Sequence, residues 1–142
     1  MIFIIDSNVF FSALIKDSAT RKIIFELEGT FLFPEYLFEE FKEHLVEIIN
    51  KSKLPTIDFY ELVRSILKKV KIVKNDVLFD YGQEALKIMK NIDKEDSLIV
   101  ACALAHSGSV IWTEDKHFRK QNKIGIVNTN ELMKKLDNQK IF

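Results

Sequence analysis

Carboxylates recur in this sequence where the chain must turn. Asp6 stops the apolar run Ile2-Phe3-Ile4-Ile5 and opens a polar turn, Asp6-Ser7-Asn8. Asp115 ends Val110-Ile111-Trp112 in the same way, after Thr113 and Glu114. Strand alternation lets only one of Glu114 and Asp115 face a common site. Asp93 and Asp96 open a third apolar stretch that runs through Ser97 to Ala105. Glu40 lies in a fourth segment, where Leu37, Phe41, Leu45 and Ile48 recur at helical spacing. The helical wheel alone does not separate Glu40 from Glu39.

Each acid has an ordinary structural reading. Asp, Ser and Asn cap helices and form turns. An acid in the first turn of a helix gains roughly 0.3–1 kcal/mol from the helix dipole. That reading explains Asp93 as an N-cap better than it explains Asp96. For Asp115 it would be a cap on the short segment Lys116–Arg119. The four acids together point further. Clustered carboxylates raise one another's pKa, and a divalent cation removes that cost. All-oxygen ligation suits Mg²⁺ or Mn²⁺ rather than zinc.

Positioning these groups requires a definite set of elements. Ile2–Ile5 reads as a buried strand. Val9–Lys16 and Thr20–Glu28 read as helices, with Gly29 as a stop. Thr30–Phe33 is a short strand, and Pro34 starts a single helix over Glu35–Ser52. Pro55 breaks the pattern, Thr56 is an N-cap, and Ile57–Lys69 is the next helix. Val70–Val73 follows as a strand and Leu78–Ile92 as a helix, weakened at Gly82. Asp93 caps a helix over Lys94–His106, apolar nearly all round and therefore central, and Gly108 ends it. Val110–Trp112 and Ile124–Val127 are strands, and Asn130–Leu136 closes the chain as a helix.

Short apolar strands alternating with helices imply parallel strands covered on both faces, a three-layer α/β/α sandwich with a short, mainly parallel central sheet. In such sheets ligands bind beyond the carboxyl ends of the strands. Asp6 and the Thr113–Asp115 turn fall there.

Composition narrows the class of protein. The 142 residues, 47% hydrophobic and 30% charged, suit one folded domain over 1–142. The 12 phenylalanines belong in apolar segments and in the core. The single cysteine, Cys102, excludes an intramolecular disulfide and a cysteine-rich zinc site, and reads as a small buried hydrophobe. The run Met1–Ile5 is too short for a signal peptide, and no apolar run reaches the ~20 residues of a membrane span. A cytoplasmic protein is expected. Twenty-one basic residues balance 21 acidic ones, so overall charge gives no attraction to nucleic acid. Any such contact must come from local clusters, of which Lys116, His117, Arg119, Lys120 and Lys123 form one.

The four acidic segments, taken in order, resemble the PIN-domain ribonucleases, among them the VapC-like toxins. Ile4-Ile5-Asp6-Ser7-Asn8-Val9-Phe10 is similar to the family's opening strand and first acid. Pro34-Glu35-Tyr36-Leu37-Phe38-Glu39-Glu40-Phe41 is similar to its second motif, Asp93-Lys94-Glu95-Asp96-Ser97-Leu98 to its third, and Ile111-Trp112-Thr113-Glu114-Asp115 to its fourth. The likeness runs from Met1 to about Met133, and it selects Glu40 over Glu39. It departs mildly at Ser7, where threonine is common.

The resemblance implies a metal-dependent endoribonuclease. Asp6, Glu40, Asp96 and Asp115 would be its catalytic and Mg²⁺- or Mn²⁺-holding residues, with Ser7, Asn8, Asp93 and Thr113 orienting them. Lys116, His117, Arg119 and Lys120 would touch RNA. It further implies an antitoxin protein as a partner and a homodimer, for which aromatics of the first helices would supply the surface. Histidine is not required: His106 reads as a helix-end residue, and His44 and His117 as structural or phosphate-facing. Two alternatives remain. One is a phosphatase with an aspartyl nucleophile, disfavoured because Asn8 stands where a second acid is needed. The other is a non-catalytic RNA- or protein-binding module of the same fold.

Overall fold

A computed structural model describes residues 1–92 and 96–141. Five strands, β1 (Ile2–Ile5), β2 (Thr30–Pro34), β3 (Val70–Val73), β4 (Val110–Trp112) and β5 (Gly125–Val127), form one sheet. Their order is β3-β2-β1-β4-β5, and every pairing is parallel. Phe3 stands level with Phe31 on one side and Val110 on the other. The chain builds outward from β1 to β3 and then returns to add β4 and β5 on the opposite side. The crevice where the direction reverses lies at the ends of β1 and β4, which is where doubly wound sheets bind ligands.

Both faces are covered, because the pleat sends alternate side chains each way. Phe3, Ile5, Phe31, Phe33 and Trp112 enter one core, and Ile4, Leu32 and Ile111 the other. Over the first face lie α1 (Ser7–Ile15), α2 (Ala19–Glu26), α4 (Leu45–Ser52), α5 (Thr56–Leu67) and α9 (Thr129–Ile141). Over the second lie α6 (Asn75–Phe79), α7 (Gly82–Met89) and α8 (Ser97–Ala105). The helix α3 (Glu35–Glu43) leaves the end of β2. This is the expected three-layer sandwich.

The first core is aromatic. Phe10 stacks on Phe33 with centroids 4.4 Å apart, and Phe41 meets Phe10 edge-on at 5.5 Å. Ring pairs of this kind add about 0.5–1.5 kcal/mol each beyond the area they bury. They fix α1 and α3 to the sheet, and those two elements carry Asp6 and Glu40. The second core is mostly small and aliphatic, with Phe118 its one fully buried ring among the described residues. Ile99, Val100, Ala101, Cys102 and Ala103 of α8 are all buried, as a helix apolar all round requires. Burial pushes the Cys102 thiol up to about 12, so it packs as a hydrophobe.

Several boundaries differ from those the sequence suggests. The helix expected over Glu35–Ser52 is two, broken at His44. The His44 amide donates to the carbonyls of both Glu40 and Phe41, the tightened bonding that ends a helix. The helix expected over Leu78–Ile92 is also two. Tyr81 closes a turn onto the Leu78 carbonyl, and Gly82, a weak helix former, begins α7. Thr56 is the first helical residue rather than the cap, because Pro55 occupies the N-cap position with its φ already fixed at −54°. The closing helix runs longer than expected, from Thr129 to Ile141. The expected start of the central helix at Lys94, with its cap Asp93, lies outside the described residues. No helix among the described residues is long and apolar enough to cross a membrane.

Candidate active site

Asp6 leaves the end of β1, where its amide donates to the Trp112 carbonyl of β4 at 3.1 Å. It is also the N-cap of α1, and one carboxylate oxygen accepts from the Ser7 amide at 2.7 Å. The other oxygen accepts from the Thr113 hydroxyl at 2.7 Å. That hydroxyl in turn accepts from the Asp115 amide at 2.9 Å. Thr113 therefore ties the ends of two adjacent strands together through a single oxygen atom. It is buried, and Asp6 is only 8% exposed.

Asp115 caps a short 3₁₀ helix, Lys116–Lys120, by accepting from the His117 amide at 2.9 Å. The capping reading therefore holds for it. The His117 ring nitrogen Nδ1 lies 3.2 Å from the same Asp115 oxygen. Asp96 occupies the N-cap position of α8 without capping it through its side chain. One ligating atom from each of Asp96, Asp115 and His117 can be chosen so that all lie within 4.8 Å of one another.

These residues meet in one cleft of about 490 Å³, lined by Asp6, Ser7, Asn8, Tyr36, Leu37, Glu40, Asp96, Leu98 and Asp115. Four elements contribute its four carboxylates, and no Lys or Arg is among the described residues lining it. Glu40 is half-buried on the cleft side of α3, whereas Glu39 is exposed and pairs with Lys42 at 3.0 Å. Glu114 faces away and accepts from the Thr129 amide at 2.7 Å, at the start of α9. Only one acid of that pair enters the cleft, as alternation requires.

The electrostatics follow from the packing. Burial raises the pKa of Asp6. The hydrogen bonds from Thr113 and Ser7 pull it back down, and the Asp115 charge adds a smaller push upward. The folded chain thus holds like charges together at a cost, in a place it has built with care.

The structure places the other expected residues as follows. Ser7 reaches Asp6 through its backbone amide, and Asn8 lines the cleft mouth, exposed. Arg119 is paired with Glu131 of α9 at 2.6 Å. Arg119, Lys120 and Lys123 line a different depression, with Lys87 of α7. His106 ends α8, its ring nitrogen 2.7 Å from the Cys102 carbonyl. His44 is exposed, while Phe11 and Phe25 of the first helices are half-buried against the core. Asp93 lies outside the described residues. The sequence understated His117. The available signal was its spacing, since a residue two beyond Asp115 returns toward it in a capped turn.

The sheet is a doubly wound parallel one, and the cleft with its four carboxylates lies at the switch point, where such sheets bind ligands. The PIN domain family model matches residues 4–137, and the chain belongs to that family. Among solved structures, a chain of VapBC2 from Rickettsia felis, bound to a DNA fragment from their promoter, is similar at 18% identity and a TM-score of 0.67. The match covers 90% of this chain and 98% of that one. A chain of VapBC-1 from nontypeable Haemophilus influenzae is similar at 17% identity and a TM-score of 0.59, over 92% and 99% of the two chains. PAE2754 from Pyrobaculum aerophilum is similar at 14% identity and a TM-score of 0.62, over 96% and 89%. At these identities the likeness is one of fold. No curated protein matches the chain.

Proposed function

We propose that this chain is a divalent-metal-dependent endoribonuclease, and that it is the toxin of a toxin–antitoxin pair. The observation that carries the catalytic reading is the convergence of Asp6, Glu40, Asp96 and Asp115 on one cleft, with no cation among the described residues that line it. An RNA phosphate would be repelled by those acids alone. The buried, raised-pKa Asp6 beside Asp115 is an arrangement that a bound cation relieves.

The donor set fits Mg²⁺ or Mn²⁺: hard carboxylate oxygens, with one imidazole, His117, at the rim. Asp6, Asp96 and Asp115 would hold the ion, with Glu40 closing the site. Such an ion lowers the pKa of water and offsets charge on a phosphate. Thr113 and the Ser7 amide fix the Asp6 carboxylate, and the Thr113 oxygen sets the turn that presents Asp115. Leu37 and Leu98 form apolar parts of the wall. No side chain is needed as a nucleophile: water would attack the phosphorus and the 3′-oxygen would leave, giving a 5′-phosphate and a 3′-hydroxyl. Lys116 and Lys120, both exposed, add non-specific attraction for the RNA backbone. The antitoxin partner is inferred from likeness in fold to the VapBC proteins.

The test is cleavage of a mixed RNA pool by purified protein with Mg²⁺, Mn²⁺ or EDTA, beside the Asp6→Asn, Asp96→Asn double variant. Metal-dependent cutting that leaves 5′-phosphate ends and is absent from the variant is the expected result. Cutting that persists in the variant overturns the four-acid site. No cutting with either metal favours a non-catalytic binding module.

A further inference from the structure

A second depression, of about 600 Å³, adjoins the acid cleft. Its walls include Tyr36, Phe79, Leu86 and Leu98, with Asn75 and Gln83 among them. Tyr36 and Leu98 line both depressions and so form a wall shared between them. Phe79 is 84% exposed and Tyr36 54%. The described residues lining this depression carry no charge, in contrast to the four carboxylates next door.

We propose that this depression seats an unpaired nucleobase of the RNA strand whose phosphodiester lies over the acids. The inference rests on the ribonuclease reading above and gives it a substrate feature. Three physical points support it. The lining is neutral and apolar, so it suits a base rather than a phosphate. The exposed Phe79 ring offers a face on which a base of any type can stack. The amide groups of Asn75 and Gln83 can both donate and accept, as base edges require. A base paired in a duplex has both faces stacked and its edge occupied, so the site selects unpaired RNA. A protein segment would also find apolar walls here. The side-chain amides and the shared wall with the acid cleft favour the base.

The experiment places 2-aminopurine at successive positions of a short single-stranded RNA and titrates it with the Asp96→Asn protein, which binds without cutting. Quenching confined to one or two adjacent positions is expected. Phe79→Ala in that background should weaken binding by about tenfold, the scale of one lost base–aromatic stack. An abasic nucleotide at the quenched position should have a matching effect, and Ile57→Ala, exposed on α5, none. In the otherwise wild-type chain, Phe79→Ala should lower kcat/KM about tenfold, and pairing the RNA into a duplex should suppress cutting. Undiminished binding and cutting by Phe79→Ala, with an abasic site tolerated, overturn the base site while the nuclease stands. If no RNA is cut yet quenching depends on Phe79, the nuclease reading fails and the base site survives. Loss of a co-purifying protein by Phe79→Ala, with RNA binding unchanged, assigns the depression to a protein and overturns the proposal.

Discussion

Two clefts of comparable size gather opposite charges, and they are built differently. The mainly basic one, of about 610 Å³, collects Lys87, Arg119, Lys120 and Lys123 together with the acid Glu84. All are exposed, on a helix, a 3₁₀ turn and the loop after it. The acid one holds Asp6 and Asp115 just beyond buried strands, Asp96 at the start of a buried helix, and Glu40 on the half-exposed α3. Its most buried member, Asp6, is held by two short hydrogen bonds. Flexible lysines can separate to relieve their repulsion, at little cost in water. Asp6 and Asp115 are held in place instead, by hydrogen bonds from Ser7, Thr113 and the His117 amide to their carboxylates. Repulsion retained where the chain is rigid is the better sign of a site.

The comparison breaks most readily at its strongest claim. Asp96→Asn or Asp115→Asn should lower RNA cleavage by about 10²–10³-fold, measured with saturating Mg²⁺ or Mn²⁺. A loss under tenfold would show that the acids are merely a tolerated cluster.

Thr113→Val keeps the shape and removes the shared hydroxyl. It leaves an Asp6 oxygen and the Asp115 amide without their partner. We expect a loss of about 1–3 kcal/mol in denaturant unfolding and activity about 10–100-fold lower. An unchanged stability would mean that the two strand ends hold themselves without this bridge.

Asp6→Asn sharpens the contrast in the opposite direction. Because burial raises the Asp6 pKa, the folded state favours the neutral form. The stability this gives is present below the ordinary carboxylate range and lost as pH rises through the elevated folded value. At neutral pH the variant should therefore melt higher than the wild-type chain while losing activity. Divalent cation should raise the Tm of the wild-type chain and do less for the variant. A variant that melts lower at neutral pH would show that the hydrogen bonds outweigh the burial cost.

The smallest effect belongs to the basic cleft. Lys120→Ala with Lys123→Ala should weaken RNA binding by about threefold at low salt, and the difference should vanish near 1 M salt, where screening is complete. A larger, salt-resistant loss would promote that cleft from solvated surface to a built RNA track.

Much of this was available from the chain alone, for identifiable reasons. Strand and helix periods are local, so β1, β3, β4 and the buried helix α8 follow from apolar runs and their lengths. Alternation of strands with helices gives a parallel sheet in three layers. Asp6 and Asp115 were visible because each ends such a strand. Glu40 was less so: a wheel cannot choose between neighbours at the edge of a face, and only the resemblance preferred it to Glu39. In the folded chain Glu40 is half-buried in the cleft, and Glu39 is exposed and paired with Lys42.

What the chain could not state in advance was which groups meet. The strand order puts β4 beside β1 although more than a hundred residues separate Asp6 from Thr113, and no local period encodes that pairing. The same folding step tied Arg119 to Glu131 and carried Lys120 and Lys123 to a separate cleft, although in sequence they follow Asp115 closely. It also turned His117 back onto Asp115 and broke the long helix at His44. Composition and spacing determine the kinds of elements and the chemistry they can carry. Distances between elements are set by packing, and packing exists only once the whole core has closed.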